Sequence, residues 1–142
     1  MKKSLFSAIF LLMTLFSLPI FANFNQSTVN GDVIVRDSKT GLLWQKTYET
    51  GLTWKEALAY CEDLTYAGYS DWRMPNRNEL VSLVNYNKYN PASDFPEMPT
   101  VFFWSSTTDV SSGNAIVFEF KRGDVRAYAK SSYTKIYVRC VR

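Results

Sequence analysis

The chain has 142 residues, a net charge of +3, two cysteines and no histidine. The missing imidazole excludes Ser-His-Asp and Cys-His catalysis and any His-ligated zinc, and two thiols are too few for a four-cysteine metal centre. The six glycines form neither a GxGxxG nor a P-loop pattern, so no phosphate cradle is visible.

The first 22 residues read as targeting rather than fold. Lys2 and Lys3 precede an uncharged Leu/Phe-rich run from Leu5 to Leu18, Pro19 breaks it, and "PIFA" ends on the small Ala22. This is the pattern of a secretory signal peptide cleaved near Ala22, with an apolar core short for a membrane span. An uncleaved N-terminal anchor is the alternative. No cysteine follows the run, so a lipoprotein anchor at that point is excluded. The expected destination is the periplasm or the medium of a bacterium, with no stable membrane insertion after cleavage. The 120 residues that remain suit one domain with its own core. In an oxidising compartment Cys61 and Cys140 read as a disulfide. The other reading is a redox or catalytic thiol pair, for which their wide separation offers no CxxC spacing.

Residues 23–31 are polar and are expected to be a short, loose lead-in to a domain over 32–142. "DVIVRDSKTGLLWQK" (32–46) predicts two strands around a "DSKTG" turn, with Gly41 at positive φ. "LTWKEALAYCEDL" (52–64) predicts a helix. Thr53 and Glu56 form a capping box, and Trp54, Ala57, Leu58, Cys61 and Leu64 recur at helical spacing on the buried stripe. Gly68 and Pro75 end that region. "NRNELVSLVNY" (76–86) predicts a second helix, capped by Asn76 and Glu79, with Leu80, Leu83 and Val84 inward. Residues 87–100 hold three prolines and predict an ordered loop. "VFFWSST" (101–107) predicts a buried strand, and "AIVFEFKRGDVRAYAK" (115–130) a hairpin about "KRGD". In the last strand, "KIYVRCVR", Ile136, Val138 and Cys140 alternate with Tyr137, Arg139 and Val141. The sum is an α+β domain: two helices packed on a mostly antiparallel sheet, with Cys61 and Cys140 stapling the first helix to the last strand.

Few residues offer chemistry. Glu62 and Asp63 lie on the exposed side of the first helix, and Asp94 and Glu97 have no partner visible in the sequence. "TTDVSSGN" (107–114) is better read as a polar turn than as a calcium loop, since Asp109 is its one carboxylate. "RGD" (122–124) is ordinary hairpin-turn chemistry. The expectation is a protein that is not an enzyme, with no cofactor, no metal and no nucleic-acid partner. Within "GYSDWRMPNRNEL" (68–80), Trp72 is expected to bury its ring at the junction between the helices, with Asp71 and Arg73 satisfying groups around it.

Two positive signals remain. Tyr66, Tyr69, Tyr86, Tyr89, Tyr128, Tyr133 and Tyr137 are core residues or sugar-stacking platforms, which spacing does not separate. The charges are also uneven. Residues 23–120 carry seven basic and twelve acidic side chains, whereas residues 121–142 carry seven basic side chains against Asp124 alone. Lys121, Arg122, Arg126, Lys130, Lys135 and Arg139 are the candidate anion ligands, with Arg142 beyond them, because Arg pairs bidentately with sulfate, carboxylate or phosphate. The competing reading is a solvated sheet face whose Lys and Arg deter aggregation.

"VRDSKTGLLWQK", "TWKEALAYCEDL", "GYSDWRMPNRNELVSLV", "FFWSST" and "YVRCVR" occur in an order that resembles the Lcl C-terminal domain family, over about residues 29–142. Trp44, Trp54, Trp72, Arg73, Pro75 and Trp104 are the structural signature within these motifs. The resemblance implies a C-type-lectin-like fold, related to that of formylglycine-generating enzymes, with a disulfide from helix to last strand. It also implies an exported adhesin-type module that binds sulfated glycosaminoglycans, promotes biofilm formation and associates as a homotrimer. In the namesake members the domain follows a collagen-like region, and this sequence contains no Gly-X-Y tract. Formylglycine-generating activity does not carry over, because Cys61 and Cys140 fall at the disulfide positions. Nor does calcium-dependent sugar binding, since neither Glu-Pro-Asn nor Gln-Pro-Asp is present. The expected function is therefore a non-catalytic binding module for anionic polysaccharide in adhesion or biofilm formation. The alternative is a protein-interaction or structural module of an envelope or pilus assembly.

Overall fold

The computed structural model describes residues 23–132 and 136–142; the expected signal segment, Tyr133 and Lys135 lie outside them. Strand β1 (Phe24–Val29) pairs antiparallel with β2 (Asp32–Asp37), from Phe24↔Asp37 to Val29↔Asp32. The turn is Asn30-Gly31, both at positive φ (52° and 89°), the two-residue arrangement that suits the twist of a hairpin. Residues 24–29 are thus a strand and not a loose lead-in. The strand is polar and exposed along its middle because, among the described residues, it is an edge strand with no second layer over it, so it carries no apolar alternation. β3 (Leu43–Gln45) completes this three-stranded sheet. The β2–β3 turn closes on Asp37, whose carboxylate accepts from Lys39 N (2.9 Å) and Thr40 Oγ1 (2.6 Å).

The helices begin where their caps place them. In α1 (Trp54–Glu62), Thr53 Oγ1 accepts from Glu56 N at 3.4 Å, and Glu56 Oε2 accepts from Thr53 N at 2.8 Å. In α2 (Arg77–Ser82), Asn76 and Glu79 exchange the same bonds at 2.9 and 2.8 Å. Each pair satisfies two amides that a helix start otherwise leaves unpaired.

The larger sheet has the order β4 (Glu49–Thr50), β8 (Ile136–Val138), β5 (Phe102–Thr108), β6 (Ala115–Glu119) and β7 (Asp124–Tyr128). Its pairings are antiparallel except that of β5 with β8. One face carries Trp104, Val117, Ile136 and Val138 against Ala57 and Cys61 of α1. The other carries Phe103, Phe118 and Phe120 against Leu80 and Leu83 at α2, with Phe95 and Met98 from the long loop. Cys61 and Cys140 form the disulfide, Cα–Cα 5.5 Å, and are fully buried. Trp44, Trp72 and Trp104 are buried as well. Trp104 Nε1 donates to Leu52 O (3.1 Å) and Trp72 Nε1 to Tyr66 O (3.1 Å). Pro75 is also buried, and its carbonyl accepts from Ser106 N at 2.8 Å. Among the described residues no helix is long and apolar enough to cross a membrane.

Candidate anion-binding surface

The basic segment enters on the β6–β7 turn. Gly123 turns the chain at φ 84°, donating its N–H to Glu119 O at 3.0 Å. The loop after α2 braces this turn: Asn90 N donates to Lys121 O (3.0 Å) and Ala92 N to Phe120 O (2.7 Å). A Cβ on Gly123 would stand a tight 3.1 Å from both Tyr86 Cε1 and Val84 Cγ1, and the positive φ itself favours glycine there. Arg122 is exposed and Lys121 half-buried, and among the described residues neither enters an ion pair.

Further along, side chains alternate across the sheet. Arg126 lies opposite Val117 and so shares the α1 side of the sheet with it. Its guanidinium carbon is 5.5 Å from the Phe102 ring centroid, and Phe102 lies 5.5 Å from Tyr128. Just past the strand, Lys130 O accepts from Trp54 N at 3.0 Å. That bond brings the Lys130 ammonium 4.5 Å from the Trp54 ring centroid. Trp54 is itself fixed by its Nε1–H donating to Ser105 O at 2.8 Å. Two cations and three half-buried rings thus share one side of the sheet. Glu119 and Asp124, opposite each other on the same face, lie beside Arg126 and temper the local field.

Arg139 is not part of this surface. Its guanidinium carbon sits 4.3 Å from the Phe95 centroid, 5.4 Å from Phe103 and 5.5 Å from Tyr48, at 2 % exposure. Nη1 donates only to Met98 Sδ at 3.8 Å, and Nε has no partner among the described residues. Burial pushes its pKa down to about 10, against the opposing influence of Tyr48 and Tyr66. The alternation expected in the last strand is present, but β8 is a central strand covered on both faces. Alternation there sorts side chains between two core layers, not between core and solvent.

Arg142 goes elsewhere again, to a corner made with residues 69–71. The late basic residues therefore do not share one face. Lys121 and Arg122 hold the turn, Arg126 and Lys130 the ring-lined strip, Arg139 the core, and Lys135 lies outside the described residues. The rings of the strip belong to α1, β5 and β7, brought together by strand pairing and by the Trp54 N–Lys130 O bond. Trp54 keeps its expected place on the core-facing stripe of α1, half-buried against the core with Lys130 over its ring. Of the ambiguous tyrosines, Tyr66 is buried, Tyr86 and Tyr89 are exposed, and Tyr128 is half-buried on the strip.

Asp109 closes its own turn. Its Oδ2 accepts from Ser112 Oγ (2.5 Å), Ser111 Oγ (2.8 Å) and Ser112 N (3.0 Å), and the serine hydroxyls hold its pKa below the usual carboxylate range.

Comparison with curated proteins gives no match. The family model of the Lcl C-terminal domain matches residues 33–142, from β2 through the last residue of the chain. With five ordered motifs, the helix-to-last-strand disulfide and that match all falling in one domain, the chain belongs to the Lcl C-terminal domain family.

Proposed function

We propose that this is an exported, non-catalytic binding module for an anionic polysaccharide, sulfated or acidic, acting in adhesion or biofilm formation. One observation carries the reading: Arg126 and Lys130 lie over the half-buried rings of Phe102 and Trp54, on the hairpin whose turn presents Lys121 and Arg122. A ring under a cation contributes about 0.5–1 kcal/mol at an exposed site and limits its wandering. The guanidinium forks onto sulfate or carboxylate oxygens, and the ring edges offer a surface to the sugar skeleton. Association as a homotrimer would multiply weak single contacts into avidity.

The test is retention of the mature protein on a heparin column at two salt concentrations. Counterion release makes such binding weaken steeply with salt. Retention at low salt and release at high salt support the reading; elution in the void at low salt sinks it.

A second reading is favoured by β7 itself. It is an edge strand of the larger sheet, and Val125 on it is 37 % exposed. Such an edge accepts an added strand from an envelope or pilus protein. A partner recovered from envelope extract and retained in high salt, with no heparin affinity, would favour it.

A further inference from the structure

Tyr86, 70 % exposed, packs against the basic turn and also lines a cleft of about 310 Å³. The cleft lies where the start of β1, the Asp37 turn and the segment following α2 meet. Its apolar lining is Phe24, Leu83 and Val84. Phe24 is held edge-on to Phe95 at 5.4 Å, so this wall is anchored in the core.

The polar lining divides into groups already engaged and groups still open. Asp37 accepts from Lys39 N and Thr40 Oγ1. Asp94 is paired with Lys88 and accepts from Asn85 Nδ2 at 2.6 Å, and these two partners hold its carboxyl below the usual range. By contrast, the side-chain amides of Asn23 and Asn87, the Lys39 ammonium and the Tyr86 hydroxyl have no hydrogen-bond partner among the described residues.

We propose that this cleft binds a single uncharged sugar residue. An anion entering it would face two carboxylates, Asp37 and Asp94, against the single ammonium of Lys39. A wholly apolar ligand would desolvate the amides without replacing their hydrogen bonds. A pyranose meets both demands, because its hydroxyls donate and accept while its C–H faces lie against Tyr86 and Phe24. The volume is at the lower limit of ligand pockets, roughly 300–1,000 Å³, which suits one ring with its substituents. The site shares none of the side chains of Lys121, Arg122, Arg126 or Lys130, and meets the anion-binding surface where Tyr86 packs on the turn at Gly123.

The experiment is a titration of the ¹⁵N-labelled mature protein with methyl glycosides of glucose, galactose and N-acetylglucosamine, read on backbone and side-chain amides. The expected result is saturable shifts with at least one glycoside, with a Kd in the millimolar range, centred on Asn23, Asn85 and Asn87. Asn87→Ala and Tyr86→Ala should each weaken that binding about tenfold, the scale of one lost hydrogen bond or stacking contact, and Arg126→Ala should leave it unchanged. Both variants alter exposed side chains, so retained spectral dispersion separates lost binding from lost fold. No saturable shift with any of the three glycosides would overturn the proposal. So would binding indifferent to both variants, or saturation by a blocked dipeptide but by none of the glycosides.

Discussion

Asp71 is held by Arg142, and not by Arg73 two residues away. Arg142 donates Nε (2.6 Å) and Nη2 (3.0 Å) to the two carboxylate oxygens, with its guanidinium carbon 3.7 Å from the Tyr69 centroid. Arg73 turns the other way, donating Nη1 (2.8 Å) and Nη2 (2.6 Å) to Glu79. Its backbone meanwhile exchanges both hydrogen bonds with Val141 at 2.9 Å. Residues 69–73 are thereby fastened to the end of the chain, beside Cys140, and the whole stretch serves as a clasp. Trp72 is its buried pin, with its ring 5.6 Å from Tyr66.

Trp72→Ala should lower stability by about 3–5 kcal/mol, as for removal of a large buried aromatic. A denaturant melt checks this. An unchanged midpoint would place the ring in solvent and contradict the clasp.

The clasp should also be acid-sensitive. Burial raises the pKa of Glu79, but the bidentate Arg73 pair and the Asn76 N–H together lower it further, leaving it below the usual carboxylate range. A carboxylate with a depressed folded-state pKa contributes stability above its unfolded pKa, about 4.3, and that contribution is lost as pH falls through the folded value. Arg142 lowers Asp71 in the same direction. Glu79→Gln should therefore be less stable than the parent near neutral pH, and the two should converge in acid. A stability gap that does not narrow in acid would contradict this role.

The disulfide closes a loop with a sequence separation of 79. Loop entropy puts its contribution at about 4–5 kcal/mol. The Cys61→Ser, Cys140→Ser double variant should lose stability on that scale, measured by urea unfolding. A loss near zero would mean that packing alone fixes α1 against β8.

Arg139 provides a contrast between charge and surface. Replacing a poorly paired buried charge by an apolar side chain of similar length is commonly neutral or stabilising. Arg139→Met should match or exceed the parent in melting temperature and keep its heparin retention. Retention lost without unfolding would mean that the guanidinium reaches the ligand.

Much of the fold was legible because local chemistry agreed with the tertiary outcome. Thr53 with Glu56 and Asn76 with Glu79 mark both helix starts, and Gly123 marks the hairpin turn. The cysteine pair reads directly as the staple between α1 and the last strand. Exposure has no comparable local signature. β1 escaped because the pattern of an edge strand is polar, although Asn30-Gly31 announced its turn. Arg139 differs from its expected place because alternation reports a face without saying what covers it. The ring-lined strip depends on β5, β6 and β7 lying side by side and on Lys130 reaching Trp54, neither of which has a local signature. The cleft likewise joins residues from three separate parts of the chain.

The measurement that bears most directly on the surface is heparin-column elution of the parent beside the Arg122→Ala, Arg126→Ala double variant, each with its melting temperature. Both side chains are exposed, so the fold should be unaffected. The double variant should elute at clearly lower salt with an unchanged melting temperature, since removed cations lessen the counterions released on binding. Identical elution of the two proteins, with both folded, would contradict the assignment of the β6–β7 hairpin as the anion-binding surface.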